Sequence, residues 1–227
     1  STNSATPARR RQISAPGLNV NGLVITSTLQ GWLKGAKGCG KLSGAGGDGV
    51  TRPIENELAR AIQEAQAKGR APVAVLDIDL TLVENAPRTR QIWRLWLESL
   101  GDRWPDAQEA LRRVDTMPIV FGVRENLATL GVVDEVLGKE GFRFWLEKFF
   151  DDKLCRLDEA LPEAVEAVQA LYHAGVTIAY LTARPAWMRE GTVETLSRLG
   201  FPMCIPRTVL VLKPDASVSD SAYKDEA

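Results

Sequence analysis

From residue 53 onward, apolar positions alternate between helical and strand-like spacing. Ile54, Leu58, Ile62 and Ala65 fall on one helical face, behind Pro53 at a first-turn position and with Glu55 and Glu57 near the positive end. Gly69 stops this helix, and the short apolar run from Pro72 to Leu76 reads as a buried strand running into Asp77-Ile78-Asp79-Leu80-Thr81. A second unit starts near Leu161-Pro162. Leu161, Val165, Val168 and Leu171 form its helical stripe, Gly175 its stop, and Val176 to Leu181 its strand, ending in Thr182-Ala183-Arg184-Pro185. A third helix is predicted from about Met188 to Leu199 with Gly200 as its stop, and a third strand over Thr208 to Leu212. Helices alternating with apolar strands predict an α/β fold built on a Rossmann-like parallel sheet covered on both faces.

Residues 83–158 break that alternation. Ile92, Trp93, Trp96 and Leu100 mark one amphipathic helix, Ala107 to Val114 a second, and Phe142, Trp145, Phe149 and Phe150 a third, with no convincing strand between them. This predicts a helical cap inserted after the first strand of a core formed by residues 53–82 and 159–227. Its aromatics read mainly as core packing, with substrate contact for one or two of them as the other reading.

Charge and glycine set the remaining boundary. Residues 1–53 hold seven basic residues against Asp48 alone, a net of +6 within a chain of net −1, so the rest carries −7. Eight of the 19 glycines lie between Gly31 and Gly49. A segment with so much backbone entropy to lose and so few side chains to bury reads as flexible, and 1–52 is assigned so, with a short ordered piece at Leu23 to Leu33. The near-neutral total argues against nucleic acid as a partner along the whole length, and the basic segment reads as a solvated tail. A single His excludes a three-His zinc centre. Three well-separated cysteines (Cys39, Cys155, Cys204) read as reduced intracellular thiols. With no long apolar run and no signal peptide pattern, a cytoplasmic protein without membrane attachment is expected.

Open parallel sheets bind ligands beyond the carboxyl ends of their strands, and two such ends here are polar. Asp77 and Asp79, two apart in an extended turn, can approach one centre. One can attack or hold metal while its neighbour, near that charge, more readily keeps a proton. A turn or helix cap is the competing reading of the pair.

The run VAVLDIDLTLV resembles the first motif of the haloacid dehalogenase superfamily of phosphohydrolases. Strand VTIAYLT resembles its second motif, and the TAR that follows is close to the TGR of several phosphatase branches. The helix, strand, MREGT helix and LGFP turn between 160 and 202 are also similar to that family. The resemblance covers roughly 54–227. It implies a Mg²⁺-dependent phosphatase acting on a small phosphomonoester beneath the cap. Asp77 would be the nucleophile that becomes an aspartyl-phosphate, and Asp79 the acid that protonates the leaving alcohol and then activates water. An acid at position 79 separates phosphatases and phosphomutases from dehalogenases, phosphonatases and P-type ATPases. Thr182 would donate to the phosphoryl oxygens. Arg184 is either a phosphate contact or an exposed turn arginine, and Thr81 shapes the turn.

For the family's phosphate lysine, Lys224 in Ser221-Ala222-Tyr223-Lys224 is chosen, with Lys213 directly after the third strand as the rival. Magnesium would take a carboxylate oxygen of Asp77 and the backbone carbonyl of Asp79, with waters and a further acid. In the family that acid belongs to a fourth motif after another strand. Asp215, Asp220 and Asp225 follow no apolar strand and are not promoted. The sequence therefore reads as truncated before Ala227 could be followed by that motif, with weak Mg²⁺ binding and low activity expected. A phosphomutase stays within the same chemistry. The alternative of another class is a non-catalytic module that keeps the fold and binds partners. Gly35 to Lys41 matches a Walker loop up to its lysine, but Leu42 stands where Ser or Thr should hold Mg²⁺, so it is set aside.

Overall fold

The computed structural model describes residues 24–26 and 53–214. Strands β1 (Val24–Thr26), β2 (Val73–Leu76), β5 (Thr177–Pro185) and β6 (Thr208–Lys213) form one parallel sheet in the order β1-β2-β5-β6. Val73 to Leu76 pair with Thr177 to Tyr180, and Ile178 to Thr182 with Thr208 to Leu212. The parallel direction requires crossovers. They are made through α1 (Pro53–Ala67) before β2, and through α6 (Ala164–His173) and α7 (Arg189–Leu199) on either side of β5. The stops expected at Gly69, Gly175 and Gly200 all adopt the left-handed conformation, with φ of 65°, 87° and 94°.

Two details differ from the sequence expectation. Val24–Thr26, within the short ordered piece expected at Leu23 to Leu33, is a strand whose residues pair in register with Val73 to Val75. The helical insertion therefore follows the second strand of the chain. β5 does not turn after Thr182 but runs on to Pro185, with a register irregularity between Thr182 and Pro185. The glycine-rich stretch from 31 to 49, the Walker-like loop and Lys224 lie outside the described residues.

The insertion leaves and re-enters through a two-residue antiparallel ribbon, β3 (Val83–Glu84) with β4 (Glu159–Ala160). Between them lie α2 (Ala86–Leu100), α3 (Ala107–Val114), α4 (Val123–Thr129) and α5 (Glu135–Phe149). The short α4 had no apolar stripe to announce it. Trp93, Trp96, Leu97, Leu100, Val114, Leu127 and Leu130 gather into a hydrophobic cluster built from the insertion alone. The sheet layer has its own, with Leu76, Ile78, Val168, Ile178, Tyr180 and Leu196. Trp93 and Trp96 are fully buried, edge to face at 5.8 Å. Each buried tryptophan withdraws roughly 150–250 Å² from water, on the order of 4–6 kcal/mol by area.

Candidate active site

β2, β5 and β6 end on the same side of the sheet, where their last residues and the loops that follow line one cavity of about 830 Å³. Asp77 and Asp79 come from the turn after β2, Thr182 and Arg184 from the end of β5, and Lys213 from the end of β6. The turn after β2 is wound tightly. The Ile78 carbonyl accepts from the amides of Thr81, Leu82 and Val83, while Leu80 N–H donates to the Val83 carbonyl. Closing it puts Leu80 at φ 57°, a left-handed conformation that costs a branched residue about 1–2 kcal/mol. Asp77 turns a carboxylate oxygen back to accept from the Ile78 amide at 2.9 Å.

Asp79 is held by two arginines. Arg184 donates from Nε to Oδ2 at 2.9 Å and from Nη2 to Oδ1 at 2.8 Å, and Arg88 from Nη2 to Oδ1 at 3.0 Å. A second carboxylate, Asp158, completes the group. Arg184 Nη2 donates to its Oδ2 at 2.6 Å, and Arg88 Nε lies 3.0 Å from Oδ1 without an aligned hydrogen bond. Arg88 and Asp158 are fully buried and Arg184 nearly so. Two guanidinium and two carboxylate charges balance to zero, the condition under which such groups stay buried.

The two carboxylates titrate in opposite directions. Burial alone would raise Asp79, but the charges and hydrogen bonds of Arg184, with Arg88 and Asn85 adding, hold it well below the usual carboxylate range. For Asp158 burial wins over the pull of Arg88 and Arg184, and its carboxyl is pushed up to about 6. Asp79 is thus a firmly ionised carboxylate here. Held this way it is a weak base, and it takes up a proton only when an arginine releases it.

Thr182 is buried, and its Oγ accepts from the Arg184 amide at 3.2 Å. Arg184, for which an exposed turn position was one of two readings, is instead an inward residue of β5. Its guanidinium is spread over Asp79, Asp158 and Thr192. Thr182 and Arg184 share a face because they are two apart on a strand, a period-two signal present in the sequence. Lys213, the rival for the phosphate lysine, lines the cavity, whereas Lys224 lies outside the described residues. Arg88 and Asp158 were missed, since neither sits at a strand end or in a motif. The aromatics of α5, read mainly as core, line the cavity wall: Phe142, Trp145 and Phe149, followed by Phe150.

Among the described residues no group of three or more His, Cys, Asp or Glu side chains is placed to hold a metal ion. Asp77 and the Asp79 carbonyl fit Mg²⁺ only as part of a set, because this ion keeps several waters and commonly takes one or two carboxylates plus substrate phosphate oxygens. No helix among the described residues is long and apolar enough to cross a membrane.

No family model matches the chain, and no curated protein matches it. Among solved structures it is similar to a Clostridium difficile protein provisionally assigned as a phosphatase, at 16% identity and TM-score 0.42, over 67% of this chain and 66% of that one. It is also similar to a class C acid phosphatase from Bacillus anthracis with tungstate bound, at 17% identity and TM-score 0.38, over 78% and 59%. A third is a HAD-superfamily hydrolase of subfamily IA from Geobacter sulfurreducens, at 18% identity and TM-score 0.39, over 63% and 62%. The chain spans less than two thirds of each of those chains. Likenesses this loose leave the chemistry to be read from the residues themselves.

Proposed function

We propose that this chain is a phosphohydrolase that cleaves a phosphomonoester through an aspartyl-phosphate on Asp77. The observation that carries the reading is the convergence of Asp77, Thr182 and Lys213, from the carboxyl ends of three neighbouring parallel strands, on one cavity. That set supplies a carboxylate to attack phosphorus, a hydroxyl to donate to an equatorial oxygen and an ammonium to offset its charge. Those are the parts phosphoryl transfer needs.

Asp77 attacks, the P–O bond to the leaving group breaks, and the released oxygen takes a proton. Water then attacks the aspartyl-phosphate and gives inorganic phosphate. In the second half Asp79 would remove a proton from that water once Arg184 or Arg88 loosens its hold, since the fully paired carboxylate is a weak base. Serving also as the acid in the first half requires it to be protonated before the arginines re-engage. Mg²⁺ held by the Asp77 carboxylate and the Asp79 carbonyl would neutralise charge on the phosphoryl oxygens when bound. Residues 83–158 would act as a cap that limits water.

The decisive experiment measures phosphate release from a panel of phosphomonoesters by the 227-residue chain with Mg²⁺, beside Asp77→Asn. Slow release abolished by the substitution supports the reading. Release unaffected by it overturns it. One second reading follows from Asp79 being fully engaged by two arginines: a module that binds phosphate compounds without turning them over. In that case the wild type binds them and releases nothing.

A further inference from the structure

Charged groups and Thr182 form the floor of the cavity, but its walls are aromatic: Phe121, Phe142, Trp145, Phe149, Phe150 and Trp187. Phe142, Trp145, Leu146 and Phe149 repeat at helical spacing along α5, a stripe that ordinarily packs into a core, and all four line the cavity. Leu146 and Phe142 are each 44% exposed, and of the other residues lining the cavity Trp187 is 57% and Phe121 89% exposed. Three of the rings are held by their neighbours. Trp145 and Phe149 stack at 4.4 Å and 25°, the Arg88 guanidinium lies 4.1 Å above Phe149, and the Trp187 indole N–H donates to the Phe150 carbonyl at 3.1 Å. Large apolar side chains gathered around one opening mark a surface that something covers. Cavities of roughly 300–1,000 Å³ suit ligands of drug size, far larger than a bare phosphate.

Resting on the phosphohydrolase reading above, we infer that the substrate is a phosphomonoester whose leaving group carries a flat aromatic ring system, held among Phe121, Phe142, Trp145 and Trp187 while its phosphate meets Asp77, Thr182 and Lys213. The floor is charged and the wall is apolar, so each half of such a molecule meets its own chemistry in one continuous space. The net reaction is balanced without a further reactant: the ester and water give the ring-bearing alcohol or phenol and inorganic phosphate. The same walls admit a ring joined directly to the phosphate oxygen or one carried through a sugar.

The test titrates Asp77→Asn calorimetrically with 2-naphthyl phosphate, adenosine 5′-monophosphate and glycerol 3-phosphate, and follows turnover of the same three by the wild type. At least one ring compound is expected to bind about tenfold or more tighter than glycerol 3-phosphate, the scale of one stacked ring. The preference between naphthyl and adenosine compounds shows how the ring is attached. Trp187→Ala and Phe121→Ala, both at exposed positions, are expected to remove that advantage and leave glycerol 3-phosphate binding unchanged. Equal binding of all three compounds overturns the inference, as does concentration-dependent self-association abolished by Phe121→Ala without any ring preference, which would assign the aromatic rim to a second copy. Wild-type turnover of glycerol 3-phosphate as efficient as that of the ring compounds overturns the inference and leaves the phosphohydrolase reading standing. Ring-selective binding without any turnover removes that reading instead.

Discussion

Arg88, in the first turn of α2, reaches out of the insertion to place Nη2 3.0 Å from Oδ1 of Asp79 in the sheet layer. Its other end-nitrogen donates to the Phe149 carbonyl at 3.0 Å, at the far end of the same insertion. One buried side chain thus fastens the start and end of the insertion to a carboxylate at the proposed site.

Removing Arg88 is therefore expected to cost more than an ordinary ion pair. Arg88→Met leaves Asp158 and Asp79 short of a counter-charge, and loss of one partner from a buried pair costs about 3–5 kcal/mol. The double variant Arg88→Met with Asp158→Leu should recover a large part of that loss, since an apolar pair of similar volume needs no charge balance. Urea denaturation of the three proteins measures both. Additive losses in the double variant would show that Arg88 and Asp158 do not stabilise one another.

Asp158 gives the fold a specific response to pH. Its folded-state carboxyl is near 6 and the unfolded one near 4, so between these values the folded chain binds the extra proton and gains stability as pH falls. Taking pH from 7 to 5 should add about 1 kcal/mol from this group. Asp79, whose folded value is depressed, works in the opposite sense and only lower down: its contribution is complete above about pH 4 and fades as acid approaches its folded value. Thermal melting of wild type and Asp158→Asn at pH 7 and 5 separates the two. The gain should be present in the wild type and missing from the variant.

At the phosphate end, Thr182→Val should lower kcat by about 10²–10³, the usual loss for a donor to a developing oxyanion, while Thr182→Ser keeps most of it. Lys213→Ala and Lys224→Ala settle which lysine serves. A large fall in Lys213→Ala with Lys224→Ala unaffected is expected, and the reverse result would move the role to Lys224.

A packing prediction tests how Asp158 is positioned. A Cβ on Gly191 would lie 1.9 Å from the Asp152 carbonyl and 2.7 Å from the Cys155 sulfur, so α7 docks only because that position has no side chain. Along the same contact, Gly191 N–H donates to Asp152, Thr195 to the Cys155 carbonyl and Arg198 to the Asp158 carbonyl. Gly191→Ala should lower stability by about 1–3 kcal/mol, the range for overpacking, despite its better helix propensity. It should also lower activity by shifting Asp158. An unchanged melting temperature would mean that α7 adjusts freely.

Much of this site could be read from the sequence because chemistry sat at the ends of apolar runs. Asp77, Asp79 and Thr182 each close or follow a stretch of strand-like residues, and strand ends of a parallel sheet meet at one edge. Arg88 and Asp158 carry no such mark. Arg88 sits in a basic helix start that reads as solvated surface, and Asp158 lies between Leu157 and Glu159 with no periodic pattern. Their burial exists only because the insertion folds back over the end of β2, a relation between residues 70 positions apart. The stripe Phe142, Trp145, Leu146 and Phe149 was visible, but a helical stripe has the same spacing whether it faces a core or a cavity. The extension of β5 past Thr182 was obscured by Pro185, which usually ends a strand.

The ribbon of Val83–Glu84 against Glu159–Ala160 places the two ends of the insertion side by side, as the arms of a hairpin. In engineering terms the insertion is a cassette: a short turn joining Glu84 to Glu159 would close the chain without disturbing the sheet layer. Such a graft would not be a neutral deletion. It would carry away Arg88 and Asp158 together and leave Asp79 and Arg184 to balance each other, so a replacement cassette need bring no counter-charge but must cover the pair that the insertion now buries.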